Sequence, residues 1–132
     1  MPVILPRVQA MVLCDDIEES EQDADAMNLV GVRSVLVSPV FPLVRSLLCV
    51  FIQMSGHPGQ ASCHVEIESL GDDGVIFETD PLTFSFMDPT VVVPVILWLP
   101  NCVFSTAGVY YVQVYCDEKL IGERPLTVRQ ED

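Results

Sequence analysis

Apolar residues in this chain come in short runs rich in Val, Ile, Phe and Tyr, interrupted by Gly, Pro, Asp or Asn, and helical spacing is nearly absent. A chain patterned this way buries its apolar side chains by alternation, so it folds as sheets. Strands are expected near residues 6–13, 28–38, 43–54, 61–69, 75–78, 82–86, 91–99, 108–116 and 119–128. Within 61–69, Ala61, Cys63, Val65 and Ile67 share one face, and His64, Glu66 and Glu68 share the other. Gly71-Asp72-Asp73-Gly74 is a turn, and Asp117-Glu118 joins the last two strands in a hairpin. Phe41-Pro42 is expected to be trans, as most such bonds are. Short strands at this spacing predict an all-β sandwich or barrel. The 132 residues fit one domain, 1–132, with an acidic loop near 15–27.

Two segments are apolar on both faces. In 91–99, Val91, Val93, Val95, Leu97 and Leu99 oppose Val92, Ile96 and Trp98, and in 43–54, Leu47, Cys49 and Phe51 oppose Leu48, Val50 and Ile52. An outer strand of a sandwich normally shows one face to water, so a second apolar face calls for a cover. Pro94 lacks a ladder donor and places its strand at a sheet edge. The expected cover is a second copy of the chain or another protein, through an interface of Val92, Ile96, Trp98, Tyr111 and Tyr115; the alternative cover is a loop of the same chain.

Thr106-Ala107-Gly108-Val109-Tyr110 leads into a strand alternating Val112, Val114 and Cys116, and it resembles the tyrosine corner of immunoglobulin-like sandwiches. More of the chain is similar to a family of small uncharacterised bacterial proteins with that fold. The carrying residues are Cys14-Asp15-Asp16, Asn28-Leu29-Val30-Gly31-Val32, Phe41-Pro42, the Gly71–Gly74 turn, Phe104-x-x-x-Gly108-x-Tyr110 and Leu126-Thr127-Val128. The resemblance implies an immunoglobulin-like antiparallel β-sandwich of about eight or nine strands in a bacterial cytoplasm. It implies no activity.

Charge and motifs narrow the function. Six Lys and Arg stand against 19 Asp and Glu, a formal charge of −13, from which neither nucleic acid nor an anionic membrane is expected as a partner. The apolar start is broken by Pro2, Pro6 and Arg7, so it reads as a strand and not as a leader, and the expected location is cytoplasmic. Cys14, Cys49, Cys63, Cys102 and Cys116 are odd in number and lack a C-x-x-C spacing, so neither a disulfide framework nor a zinc site is expected. His57 lies in a Gly-Pro turn, and His64 cannot meet Cys63 across a strand. With no nucleophile elbow, phosphate loop or dinucleotide fingerprint, no catalytic, cofactor-binding or metal residue is assigned, no cofactor is expected, and the chain reads as a non-enzymatic protein-interaction domain. The alternative is a calcium- or small-ligand-binding sandwich. Seven acids crowd into Asp15–Asp25, which reads as a solvated mobile connection over 18–26 or as a calcium-binding loop.

Overall fold

The computed structural model describes residues 5–71 and 73–131; Asp72, inside the expected Gly71–Gly74 turn, lies outside them. Among the described residues the chain is all-β. Among those residues no helix is long and apolar enough to cross a membrane. The described residues form eleven strands, not eight or nine: β1 Arg7–Cys14, β2 Asp16–Glu19, β3 Met27–Val30, β4 Val35–Ser38, β5 Leu43–Ser55, β6 Gly59–Ser69, β7 Val75–Glu78, β8 Leu82–Phe86, β9 Val93–Phe104, β10 Gly108–Cys116 and β11 Lys119–Gln130.

The extra strands have local causes. The expected strand 28–38 is split into β3 and β4 because Gly31 adopts φ 67°, which a strand cannot hold. A Cβ at Gly31 would also collide with the Asp15 carboxylate. Strand β2 is acidic and therefore hidden from a propensity reading, yet it pairs antiparallel with β3, Asp16 opposite Val30 and Glu19 opposite Met27. The expected acidic loop is thus a hairpin whose tip closes through Ser20 N–H to Ala26 C=O at 3.2 Å. Other expectations hold: Asp117 and Glu118 take φ 49° and 67° and close the β10–β11 hairpin, with both central residues at positive φ as a type I′ turn requires. The Phe41–Pro42 bond is cis, against the general preference for trans.

Two larger sheets share one core. The first has the order β1-β5-β9; the second runs β4-β11-β10-β6-β7, with β8 also on β6. Every pairing is antiparallel except that of β4 with β11. Leu13, Leu48, Val50, Ile52 and Leu99 from the first sheet bury against Val65, Ile67, Val112, Val114 and Leu126 from the second. Alternation along each strand selects this set and sends the intervening side chains outward. At the end of β10, the buried Tyr110 hydroxyl donates to the Thr106 carbonyl at 2.7 Å, and its ring meets Phe104 edge-on at 4.9 Å.

The cysteine expectation needs correction. Cys63 and Cys116 are joined in a disulfide, because the β6–β10 register sets them directly opposite on the inner face. An odd count does not exclude a pair, and the partners are 53 residues apart in sequence, so spacing alone could not reveal it. Cys14, Cys49 and Cys102 are free and buried.

Asp15 ties the hairpin to the larger sheets. Its carboxylate accepts from Arg33 Nε at 2.8 Å and Nη2 at 2.6 Å, and from Arg45 Nη2 at 2.5 Å. The Arg33 hydrogen bonds, followed by the charges of Arg33 and Arg45, hold the Asp15 carboxyl below its ordinary value. Such a group contributes stability above its unfolded value of about 3.9, and that contribution disappears as pH falls through the lower folded value. Asp15→Asn should therefore cost about 1–2 kcal/mol in denaturant melts at neutral pH, with a deficit that shrinks below about pH 4. A deficit independent of pH would contradict the assignment.

Tyr110→Phe strands the Thr106 carbonyl and should cost about 1–3 kcal/mol, clearly more than Tyr111→Phe on the outer face. Equal midpoints for the two variants would count against the corner.

Candidate functional site

The two outer faces differ in chemistry. On the first sheet, β9 is an edge strand, as Pro94 predicted. Pro94, Ile96, Trp98 and Pro100 point outward and stand opposite Gln53, Phe51, Cys49 and Leu47 of β5. Trp98 is 43% exposed, Ile96 37% and Leu47 44%, while Phe51 and Cys49 beneath them are buried. This patch carries no charged side chain. The β2–β3 hairpin does not hide it: the hairpin packs near Cys49, at the β1 side of the face. Val92 is exposed too, but it precedes β9 in the chain and does not belong to the strand.

The structure divides the five expected interface residues. Ile96 and Trp98 come together on the first sheet with Val92 near the start of β9, whereas Tyr111 and Tyr115 lie on β10, in the outer face of the opposite sheet. The sequence could not place them, because alternation tells inside from outside and not which sheet a strand joins.

The second outer face is polar and acidic. His64 and Glu66 alternate along β6, and Glu78 of β7 stands opposite Glu66. His64 Nε2 lies 3.3 Å from Glu66 Oε1 and 3.8 Å from Glu78 Oε1. The His64 ring stacks on Tyr115 with centroids 5.2 Å apart and planes within 9°. The Tyr115 hydroxyl in turn donates to Gln113 Oε1 at 3.2 Å, and Gln113 Nε2 donates to Glu123 Oε2 at 3.4 Å. Burial, then the charges of Glu66, Glu68 and Glu123, push the Tyr115 phenol up. The sequence reading had His64 and Glu66 on one face but missed Glu78, whose approach depends on the return of β7 alongside β6. His57 lies apart, in an open cleft with Arg7, Gln9 and Ser55.

Residues 9–129 match the model of a family of unknown function, DUF6941. The chain belongs to the DUF6941 family. The expected resemblance to a family of uncharacterised proteins is thereby shown. No curated protein matches the sequence. Among solved structures, the DUF6941 chain is similar in fold to the Pseudomonas fluorescens alkylpurine DNA glycosylase AlkC bound to DNA containing an abasic site analog, with a TM-score of 0.57 at 7% identity. The likeness covers 94% of this chain and 30% of that one. It corrects one expectation. Nucleic acid was excluded as a partner on net charge, yet this fold occurs in a protein bound to DNA; a whole-chain charge sums over all faces and describes none of them.

The acidic segment of the DUF6941 chain does not gather its carboxylates. Asp15 is engaged by two arginines, and Asp23 accepts from the Asp25 backbone within the hairpin tip. Among the described residues, the metal-ligating side chains that converge are His64, Glu66 and Glu78.

The free thiols are unsuited to nucleophilic work. Cys14 and Cys49 face each other across β1 and β5. Burial pushes Cys49 up to about 12, burial also raises Cys14, and burial takes Cys102 to about 11. All three are thiols and not thiolates at neutral pH. Iodoacetamide at pH 7.5 should therefore leave Cys14, Cys49 and Cys102 unmodified in the folded chain and label all three in denaturant, as read by mass spectrometry. Rapid labelling of any of them in the native state would refute this.

Proposed function

We propose that this chain is a non-catalytic protein-interaction domain with an immunoglobulin-like two-sheet architecture, and that it self-associates through the outer face of the β1-β5-β9 sheet. The observation that carries the reading is Trp98, nearly half exposed beside Ile96 and Leu47 on an uncharged patch. The two facing sheets and the Tyr110–Thr106 corner support the immunoglobulin-like assignment.

The edge itself is a poor template for adding a strand. Residues 94, 96, 98 and 100 share one backbone orientation, and two of the four are prolines without a donor. Packing face to face therefore fits better than edge pairing. A second copy also fits the charge. Two bodies of −13 repel, and an uncharged patch is where their surfaces can approach with the least cost. Large aromatics dominate such contacts, so Trp98 is the anchor.

Light scattering across a micromolar series reads the association directly. The wild type should show a concentration-dependent dimer mass that strengthens with salt, because screening relieves the repulsion. Trp98→Ala should weaken it by about 2 kcal/mol or more, roughly thirtyfold, and Ile96→Asp should abolish it. A monomer mass at every concentration and salt, or one shifted only by added duplex DNA, would overturn the reading.

A further inference from the structure

We propose that His64, Glu66 and Glu78 form a binding site for one divalent transition-metal ion, zinc being the fitting occupant. The proposal stands apart from self-association, which uses the other face.

Geometry comes first. Ligand atoms held 2.0–2.2 Å from a tetrahedral ion sit roughly 3.3–3.6 Å from one another. The distances from His64 Nε2 to the two carboxylates, 3.3 and 3.8 Å, bracket that spacing. All three ligand atoms lie within 4.8 Å of one another. The two carboxylates repel each other, and a cation between them relieves that repulsion. Glu78 has the freedom to close the remaining gap, since its side chain is 59% exposed, while His64 and Glu66 are held at 16% and 18%.

The surroundings are those of a ligand site and differ from an incidental ion pair. Stacking on Tyr115 fixes the imidazole plane, and the Tyr115–Gln113–Glu123 chain fixes Tyr115. Ligand orientation by such outer partners is what metal sites depend on. Glu68, two residues along β6 from Glu66, and Glu123, the acceptor of Gln113, add negative charge to the same face. An open groove bordered by Ser62, Pro81, Asp117 and Glu118 reaches His64 and Glu78, so an ion has a path in and a position left for water. The donor set of one imidazole and two carboxylates suits zinc and its neighbours. Calcium and magnesium prefer oxygen alone.

Isothermal titration of the full chain with zinc chloride, beside calcium and magnesium chlorides, tests the site. One zinc ion should bind per chain, with no heat from calcium or magnesium at the same concentrations. Loss of a ligand should weaken zinc by more than the roughly tenfold that loss of an outer partner costs, in both His64→Ala and Glu78→Gln. The exposed position of Glu78 makes the second variant safe for folding, which circular dichroism checks. His57→Ala should bind zinc as the wild type does. Cobalt substituted for zinc should give visible bands without the thiolate charge-transfer band that the cysteines would produce. Absence of zinc binding, undiminished binding in both ligand variants, or a thiolate band would each overturn the proposal.

Discussion

The register between β6 and β10 settles both sides of the larger sheet at once. Cys63 lies opposite Cys116, and one step along, His64 lies opposite Tyr115. The first pair points inward and closes a disulfide within the core; the second points outward and stacks. A slip of β6 by one residue would turn its side chains to the other face, burying His64 and Glu66 and exposing Val65 and Ile67. The hydrophobic cost of that slip holds the register, and the register brings the polar groups of the outer face together. Core packing and the arrangement of His64 are thus consequences of the same pairing.

The smaller sheet meets a different constraint. β5 is central, between β1 and β9, and both of its faces carry apolar side chains. Its inner face is covered by the second sheet. Part of its outer face, around Cys14 and Cys49, is buried at the side where β2 and β3 return. That return is fixed by Asp15, which receives Arg33 from beyond the hairpin and Arg45 from β5, and by Gly31, the one residue type that leaves the carboxylate room. The cover stops short of β9, where Ile96 and Trp98 stay open to solvent. Paired with its arginines, Asp15 serves the fold, and the high count of acids around it reflects a solvated hairpin.

How much of this was legible follows from the range of each interaction. Alternation is local, so the strand positions, the inward set Ala61, Cys63, Val65 and Ile67, and the edge placement of Pro94 were readable from the residues. Tyr110 was readable because its acceptor is only four residues away. The Cys63–Cys116 bond spans 53 residues, the Arg45–Asp15 contact 30, and the Glu78–Glu66 approach crosses a turn. Each of these depends on which strand lies beside which, and alternation carries no such information. Tyr111 and Tyr115 were grouped with Trp98 for that reason: all three face outward, but from different sheets. The β2–β3 hairpin escaped notice because its pairing is made by backbone groups under side chains that are poor strand formers.

The separation of the two outer faces has a physical consequence for how binding on one can affect the other. They are back to back across a shared packed core, and neither face contributes a side chain to the other. Substitutions this far apart, without shared partners, are expected to act additively. Charge is the one quantity that crosses the molecule. A divalent cation on the His64 face would reduce the net negative charge by two, and self-repulsion between copies would fall with it. That influence is long-range and screened by salt over about 8 Å at physiological ionic strength. In the proposed dimer it would therefore act on the approach of two copies and leave the packing around Trp98, once in contact, as it was.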